Sequence, residues 1–189
     1  MSKRVIIIHG WGGNPEEGWF PWAKKELEQR GFSVVIPAMP NTEEPTIAEW
    51  VAHLGKIVGE PNVDTHLVGH SIGCQAILRY LESLAPGQSA GKVVFVAGWF
   101  DLDNMETDEE RLIAKPWIAT PIDFEKVREH VKDITAILSD NDPYGFFEAN
   151  RSIFEEQLGA RVIVESGKGH LDGGDGIIQL PSVLSALIA

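Results

Sequence analysis

The chain holds one cysteine, Cys74, in 189 residues. A single thiol excludes an intrachain disulfide and any metal site built from several cysteines, and it fits a reducing compartment. Positive charge is also scarce: 16 Lys and Arg against 28 Asp and Glu leave a net charge of −12 at pH 7. Nucleic-acid binding depends on clustered cations that neutralise phosphates, so this balance argues against a nucleic-acid partner. It argues equally against docking on an anionic membrane surface. Long apolar runs are missing as well. A bilayer span needs about 20 apolar residues, whereas the run Val5-Ile6-Ile7-Ile8 stops after four at His9-Gly10. Basic residues precede it, as in a secretory leader, but it is too short for a leader's core and no cleavage site follows. A soluble cytoplasmic protein is expected. With no low-complexity tract, repeat or linker, the chain reads as one domain, 1–189, long enough for a substantial core.

What is present is alternation. Short β-branched runs at residues 5–8, 32–36, 63–68, 92–97, 134–138 and 161–164 read as strands. Helical patterns cover residues 19–30, 72–84, 145–158 and 177–187, and Thr46 with Glu49 forms a capping box for a helix reaching Val58. The strands are continuous apolar runs rather than alternating ones, as expected for burial on both faces. Strand–helix alternation then predicts an α/β fold with a six-stranded parallel sheet flanked by helices. Only residues 98–124 break the rhythm, being long and mixed in composition. In such a sheet, ligands bind at the carboxyl ends of the strands. The loops that follow strands are therefore the ones to read for chemistry.

One of them is Gly69-His70-Ser71-Ile72-Gly73, which matches G-x-S-x-G. This pattern places a serine on a strained strand-to-helix turn, with glycines where neighbouring backbone must pass close. Chance is the rival reading, but a strand pattern directly precedes the motif and a helix pattern directly follows. Ser71 is thus the candidate nucleophile, and the Ile72 N–H at the helix start is one candidate oxyanion donor. The second donor is expected from His9-Gly10-Trp11-Gly12-Gly13, after the first strand, through the Trp11 N–H. His9 is expected to organise that loop. A dinucleotide fingerprint fails here because its third glycine would fall at Pro15. The second strand also ends in Ile36-Pro37-Ala38, with no acid for a ribose. No cofactor is expected.

A triad on this fold follows the order Ser, acid, His. His170, in Gly167-Lys168-Gly169-His170 after the sixth strand, is the histidine in a suitably late post-strand loop. The acid is expected in Ser139-Asp140-Asn141-Asp142-Pro143. Asp142 lies further into the loop beside a stiffening proline and is favoured; Asp140, the alternative, could instead cap the turn.

Together, Ile8-His9-Gly10-Trp11-Gly12-Gly13, Val68-Gly69-His70-Ser71-Ile72-Gly73, Ser139-Asp140-Asn141-Asp142-Pro143 and Gly169-His170 resemble the small serine hydrolases around retinoblastoma-binding protein 9. The resemblance covers nearly the whole chain. It implies a compact α/β-hydrolase core without a large lid, and it implies Asp142, directly before the proline, as the acid. A retinoblastoma-binding Leu-x-Cys-x-Glu sequence is absent, since Cys74 lies in Ile72-Gly73-Cys74-Gln75-Ala76.

The irregular segment should overhang the site, with Trp99, Phe100 and Trp117 as candidate walls of an apolar pocket and Trp11 and Trp19 opposite. The rival reading packs those rings into the body. Six of residues 101–110 are acidic. They form either a solvated face or a negative rim favouring amino-bearing substrates. Calcium is not indicated, because no glycine stands at the sixth loop position. The expected function is hydrolysis of a small ester, thioester or amide through an acyl-enzyme. A non-catalytic interaction module keeping the fold is the alternative.

Overall fold

A computed structural model describes residues 3–105 and 107–188. Its elements run β1 (Arg4–Ile8), α1 (Phe20–Glu28), β2 (Ser33–Val35), α2 (Ile47–Val58), β3 (Thr65–His70), α3 (Ile72–Glu82), β4 (Lys92–Val96), α4 (Asp108–Ala119), α5 (Phe124–His130), β5 (Asp133–Leu138), α6 (Phe147–Ser152), β6 (Arg161–Val164) and α7 (Pro181–Ile188). A π-helical turn, Ile153–Gln157, continues α6. All six strands pair in parallel in the order β2-β1-β3-β4-β5-β6.

Alternate strand residues feed two cores. Ile6, Ile8, Leu67, Val93 and Phe95 point to one face, where they meet Trp50 and Leu54 of α2, Ile77 and Leu81 of α3, and Trp117 of α4. Val5, Ile7, Val68, Val94 and Val96 point to the other, against Phe20, Ala23 and Leu27 of α1 and Val183 and Leu187 of α7. Double burial is why the strands read as unbroken apolar runs.

The chain starts at β1, steps outward to β2, and returns across β1 to β3. The order therefore reverses between β1 and β3, and the crevice for a ligand opens above that switch point. The loops leaving these two strands carry His9 to Gly13 and Ser71.

Besides α5, which the sequence pattern did not mark, the observed elements depart from expectation in three places. Residues 98–124 contain α4, started by a complete capping box: Thr107 Oγ1 accepts from the Glu110 N–H at 3.1 Å, and Glu110 accepts from the Thr107 N–H at 2.9 Å. Its weak amphipathic pattern and its internal Pro116 disguise it. β3 runs on through Gly69-His70, so the serine follows the strand without a spacer. The last helix starts at Pro181, well after residue 177, because a proline is accommodated in the first helical turn. Glu106, one of the six acids, lies outside the described residues.

Candidate active site

Ser71 sits between β3 and α3 at φ 53°, ψ −124°, a region that non-glycine residues rarely occupy. Two close approaches enforce that turn. A Cβ on Gly69 would lie 2.7 Å from the Cys74 nitrogen, and one on Gly73 would lie 2.6 Å from the Ile8 carbonyl oxygen. Neither contact tolerates a side chain, so both glycines of the motif are demanded by packing. The Ser71 N–H donates to Val96 O at 2.9 Å, fixing the turn to the end of β4. Ser71 Oγ accepts from Trp99 Nε1 at 3.3 Å.

The acid loop after β5 and the histidine loop after β6 are laced together residue by residue. Ser139 Oγ accepts from Lys168 N–H at 3.1 Å, and Asn141 Oδ1 accepts from Gly169 N–H at 2.9 Å. The Asp140 carboxylate accepts from Ser166 Oγ at 2.8 Å and Gly167 N–H at 2.9 Å, bonds that lower its pKa. The Asp142 carboxylate accepts from His170 Nδ1 at 2.8 Å. Asp140 is therefore a staple between loops, and Asp142 is the acid that touches the imidazole.

His170 is held at several other points. Its N–H donates to Asp175 at 2.5 Å, and its carbonyl accepts from His70 Nε2 at 2.9 Å. The rings of Tyr144 and His70 stand edge-on to it, with centroids 4.7 and 5.1 Å away. In the neutral imidazole, donation to Asp142 from Nδ1 puts the acceptor lone pair on Nε2. His70 is fully buried beside it, and burial pushes its pKa down to about 4, so it is neutral near pH 7.

Gly10, Trp11, Ser71, Trp99, Tyr144 and His170 line one cavity of about 450 Å³. The loop after β1 is organised by His9. His9, buried, meets Gly10 O through Nδ1 at 2.9 Å and accepts from the Met39 N–H through Nε2 at 3.1 Å. Among the described residues, neither the Trp11 nor the Ile72 N–H donates to a protein acceptor.

Two expected pocket residues lie elsewhere. Phe100 packs against Phe124 and Phe154, with centroids 5.5 and 4.8 Å away. Trp117 is buried against Trp50, its indole donating to Pro45 O at 2.9 Å. Trp117 belongs to the core because α4 carries it there, and Phe100, in the irregular stretch before α4, packs against the same core. Trp19 is also buried; its indole donates to Leu171 O at 3.0 Å and so steadies the residue after His170.

The cavity wall instead carries Glu17, Glu43, Glu110 and Asp172, with no Lys or Arg among the described lining residues. Burial, and to a lesser degree the nearby Asp172 charge, raises the pKa of Glu17. Of these acids the sequence pattern flagged only Glu110. Glu17 and Asp172 do lie in the loops that follow β1 and β6, and that position is the signal that could have found them. No group of three or more His, Cys, Asp or Glu side chains that could hold a metal ion occurs among the described residues. Nor is any described helix long and apolar enough to cross a membrane.

A family model for serine hydrolases matches residues 5–189. The chain belongs to the serine hydrolase family. It is 31% identical over 188 residues to the putative hydrolase YdeN of Bacillus subtilis (strain 168), covering 99% of this chain and 95% of that protein. The crystal structure of the B. subtilis ydeN gene product superposes with a TM-score of 0.90 at 30% identity, covering 99% and 97% of the two chains. Serine hydrolase RBBP9 of Rattus norvegicus is 27% identical over 173 residues, 89% of this chain and 87% of that one. A carboxylesterase structure from Nitrososphaera gargenis, at 15% identity, shares the fold with a TM-score of 0.72 over 99% and 89% of the chains. This serine hydrolase is an enzyme with the α/β-hydrolase fold, and its membership agrees with the resemblance drawn from its motifs.

Proposed function

We propose that this serine hydrolase cleaves a small ester, thioester or amide through Ser71, His170 and Asp142. The observation that carries the reading is the His170–Asp142 pair, bonded at 2.8 Å, whose imidazole lines the same cavity as a serine on a strained strand-to-helix turn. His170 Nε2 takes the Ser71 proton as Oγ attacks the carbonyl carbon, and the carbonyl π electrons move onto oxygen. The Trp11 and Ile72 N–H groups receive that oxyanion; losing one such donor costs on the order of 10² to 10³ in rate. The leaving group departs with the proton from His170, and water then releases the acyl-enzyme by the reverse sequence. Asp142 keeps the imidazole in the productive tautomer and balances the imidazolium.

A cavity of about 450 Å³ suits a small molecule. Its four carboxylates favour a substrate carrying a cationic or amino group and disfavour an anionic one. The compartment expected for this chemistry is the cytoplasm, with neither nucleic acid nor membrane as a partner. Labelling with a fluorophosphonate tests the reading. Wild-type protein should label and Ser71→Ala should not; a folded wild type that resists labelling sinks the proposal and leaves a binding module in its place. Matched amine and carboxylate esters, compared at low salt, test the charge preference, which fails if their kcat/KM values are equal.

A further inference from the structure

Trp99 is 3% exposed, yet it reaches the cavity wall and the nucleophile. Its place is built by the turn after β4. Ala97 adopts φ 47°, and Gly98 passes so close to its neighbours that a Cβ would lie 2.7 Å from Phe154 Cζ and 3.2 Å from Cys74 Sγ. The Trp99 carbonyl then accepts from Gln75 Nε2 at 2.8 Å. Gln75 belongs to α3, the helix that Ser71 opens, so one residue is tied to the elbow at both ends. The other indole bonds differ in kind. Those of Trp11, Trp19, Trp50 and Trp117 all end on main-chain carbonyls. Only the Trp99 bond, among the described residues, ends on a side-chain hydroxyl, and that hydroxyl is Ser71 Oγ.

We infer that the Trp99 indole N–H is a donor to the nucleophile oxygen during the reaction, distinct from the oxyanion donors. The inference rests on the assignment of Ser71 as nucleophile. A serine hydroxyl has one proton and two lone pairs, whereas an indole N–H can only donate. Trp99 thus occupies one lone pair and leaves the hydroxyl proton for His170. Among the described residues no hydrogen bond joins Ser71 Oγ to His170 in the resting enzyme, and Trp99 is what fixes the oxygen there. At 3.3 Å the bond is long for N–H···O. Hydrogen bonds to a charged acceptor are shorter and stronger. The interaction therefore tightens as Oγ sheds its proton and gains alkoxide character, and an interaction stronger in the transition state than before it speeds the step. Oγ has that character twice: when it attacks, and when it is expelled from the acyl-enzyme's tetrahedral intermediate. Trp99 transfers neither proton nor electron pair in either step.

Trp99→Phe keeps an aromatic ring and removes the N–H. In burst kinetics with p-nitrophenyl acetate, acylation and deacylation rates should both fall, by about tenfold to a hundredfold, as for loss of one hydrogen bond to a charged acceptor. Substrate affinity should stay near wild type, and the fluorophosphonate labelling rate should fall in parallel. A raised KM at unchanged kcat would instead make Trp99 a wall of the pocket and overturn the inference. Labelling of Ser71 at the wild-type rate in Trp99→Phe overturns it too, while leaving the nucleophile assignment intact. Absence of Ser71 labelling in the wild type removes the assignment itself. A second measurement needs no Trp99 variant: in the ¹⁵N–¹H spectrum, one indole resonance should shift in Ser71→Ala. If no indole resonance moves, the bond is absent in solution and the inference fails.

Discussion

Two aspartates two positions apart carry different work, and the bonds they make tell them apart. Asp142 meets His170 Nδ1 at 2.8 Å, while Asp140 meets Ser166 and Gly167. Asp142→Asn should present the wrong tautomer to Ser71 and lower kcat by about 10³ to 10⁴ with little change in KM. Asp140→Asn should cost less than tenfold in kcat but lower the melting temperature, since only the staple between the loops weakens. Steady-state kinetics and thermal unfolding of the pair check both outcomes; equal losses of kcat would remove the distinction. In the sequence, position in the loop and the following proline favour Asp142, and motif and chain order point to Ser71 and His170, the other members of the proposed triad. The pocket wall was not. Trp99, Phe100 and Trp117 look alike as aromatic residues in one segment, and which of them faces the cavity depends on the turn at Ala97 and Gly98 and on a helix that the composition hides. Glu17, Glu43 and Asp172 reach the site from three loops, a convergence no local pattern encodes.

Among the elements, the strands and the helices after β1, β2 and β3 were plain, because their apolar periodicity is strong and burial on both faces leaves it unmasked. α4 is masked for the opposite reason: its buried residues are Ala114 and Trp117 alone, and its first three residues are all acidic. That acid has a local explanation. Asp108, Glu109 and Glu110 occupy the first turn, where negative charge opposes the unpaired N–H groups and the helix dipole. Half of the acidic run thus serves the helix start, and the electrostatics of the cavity draw on Glu110 with acids from elsewhere. Thr107→Ala removes the acceptor for the Glu110 N–H and should destabilise the protein by about 1 kcal/mol. Urea unfolding should report it as a lower midpoint at unchanged slope. A midpoint equal to wild type would mean that α4 contributes nothing to the cooperative unit.

At the scale of the whole molecule, the response to acid is set by opposing charges. The net charge of −12 makes the folded chain self-repelling near neutrality, so mild acid relieves strain. Glu17, with its raised pKa, acts in the same direction, but it is partly exposed and its effect is screened. Three buried histidines act against this. His9, His66 and His70 all have pKa values lowered, first of all by burial, and His70 falls from 6.5 to about 4. Between those two values the unfolded chain binds a proton at His70 that the folded chain refuses, so stability falls as pH falls through the window. The stabilising contribution is present above pH 6.5 and is lost towards pH 4; for His70 alone it amounts to about 3 kcal/mol. Surface repulsion at physiological salt is screened over about 8 Å and changes gently, so the buried rings dominate. His70→Gln keeps an N–H that can reach the His170 carbonyl but has no ring to protonate. Its unfolding free energy, measured in urea from pH 7 to pH 4.5, should decline more shallowly than that of the wild type, whatever its value at pH 7. Parallel declines would mean that His70 takes up its proton without cost in the folded state, and the acid sensitivity would then have to reside in His9, His66 and the carboxylates.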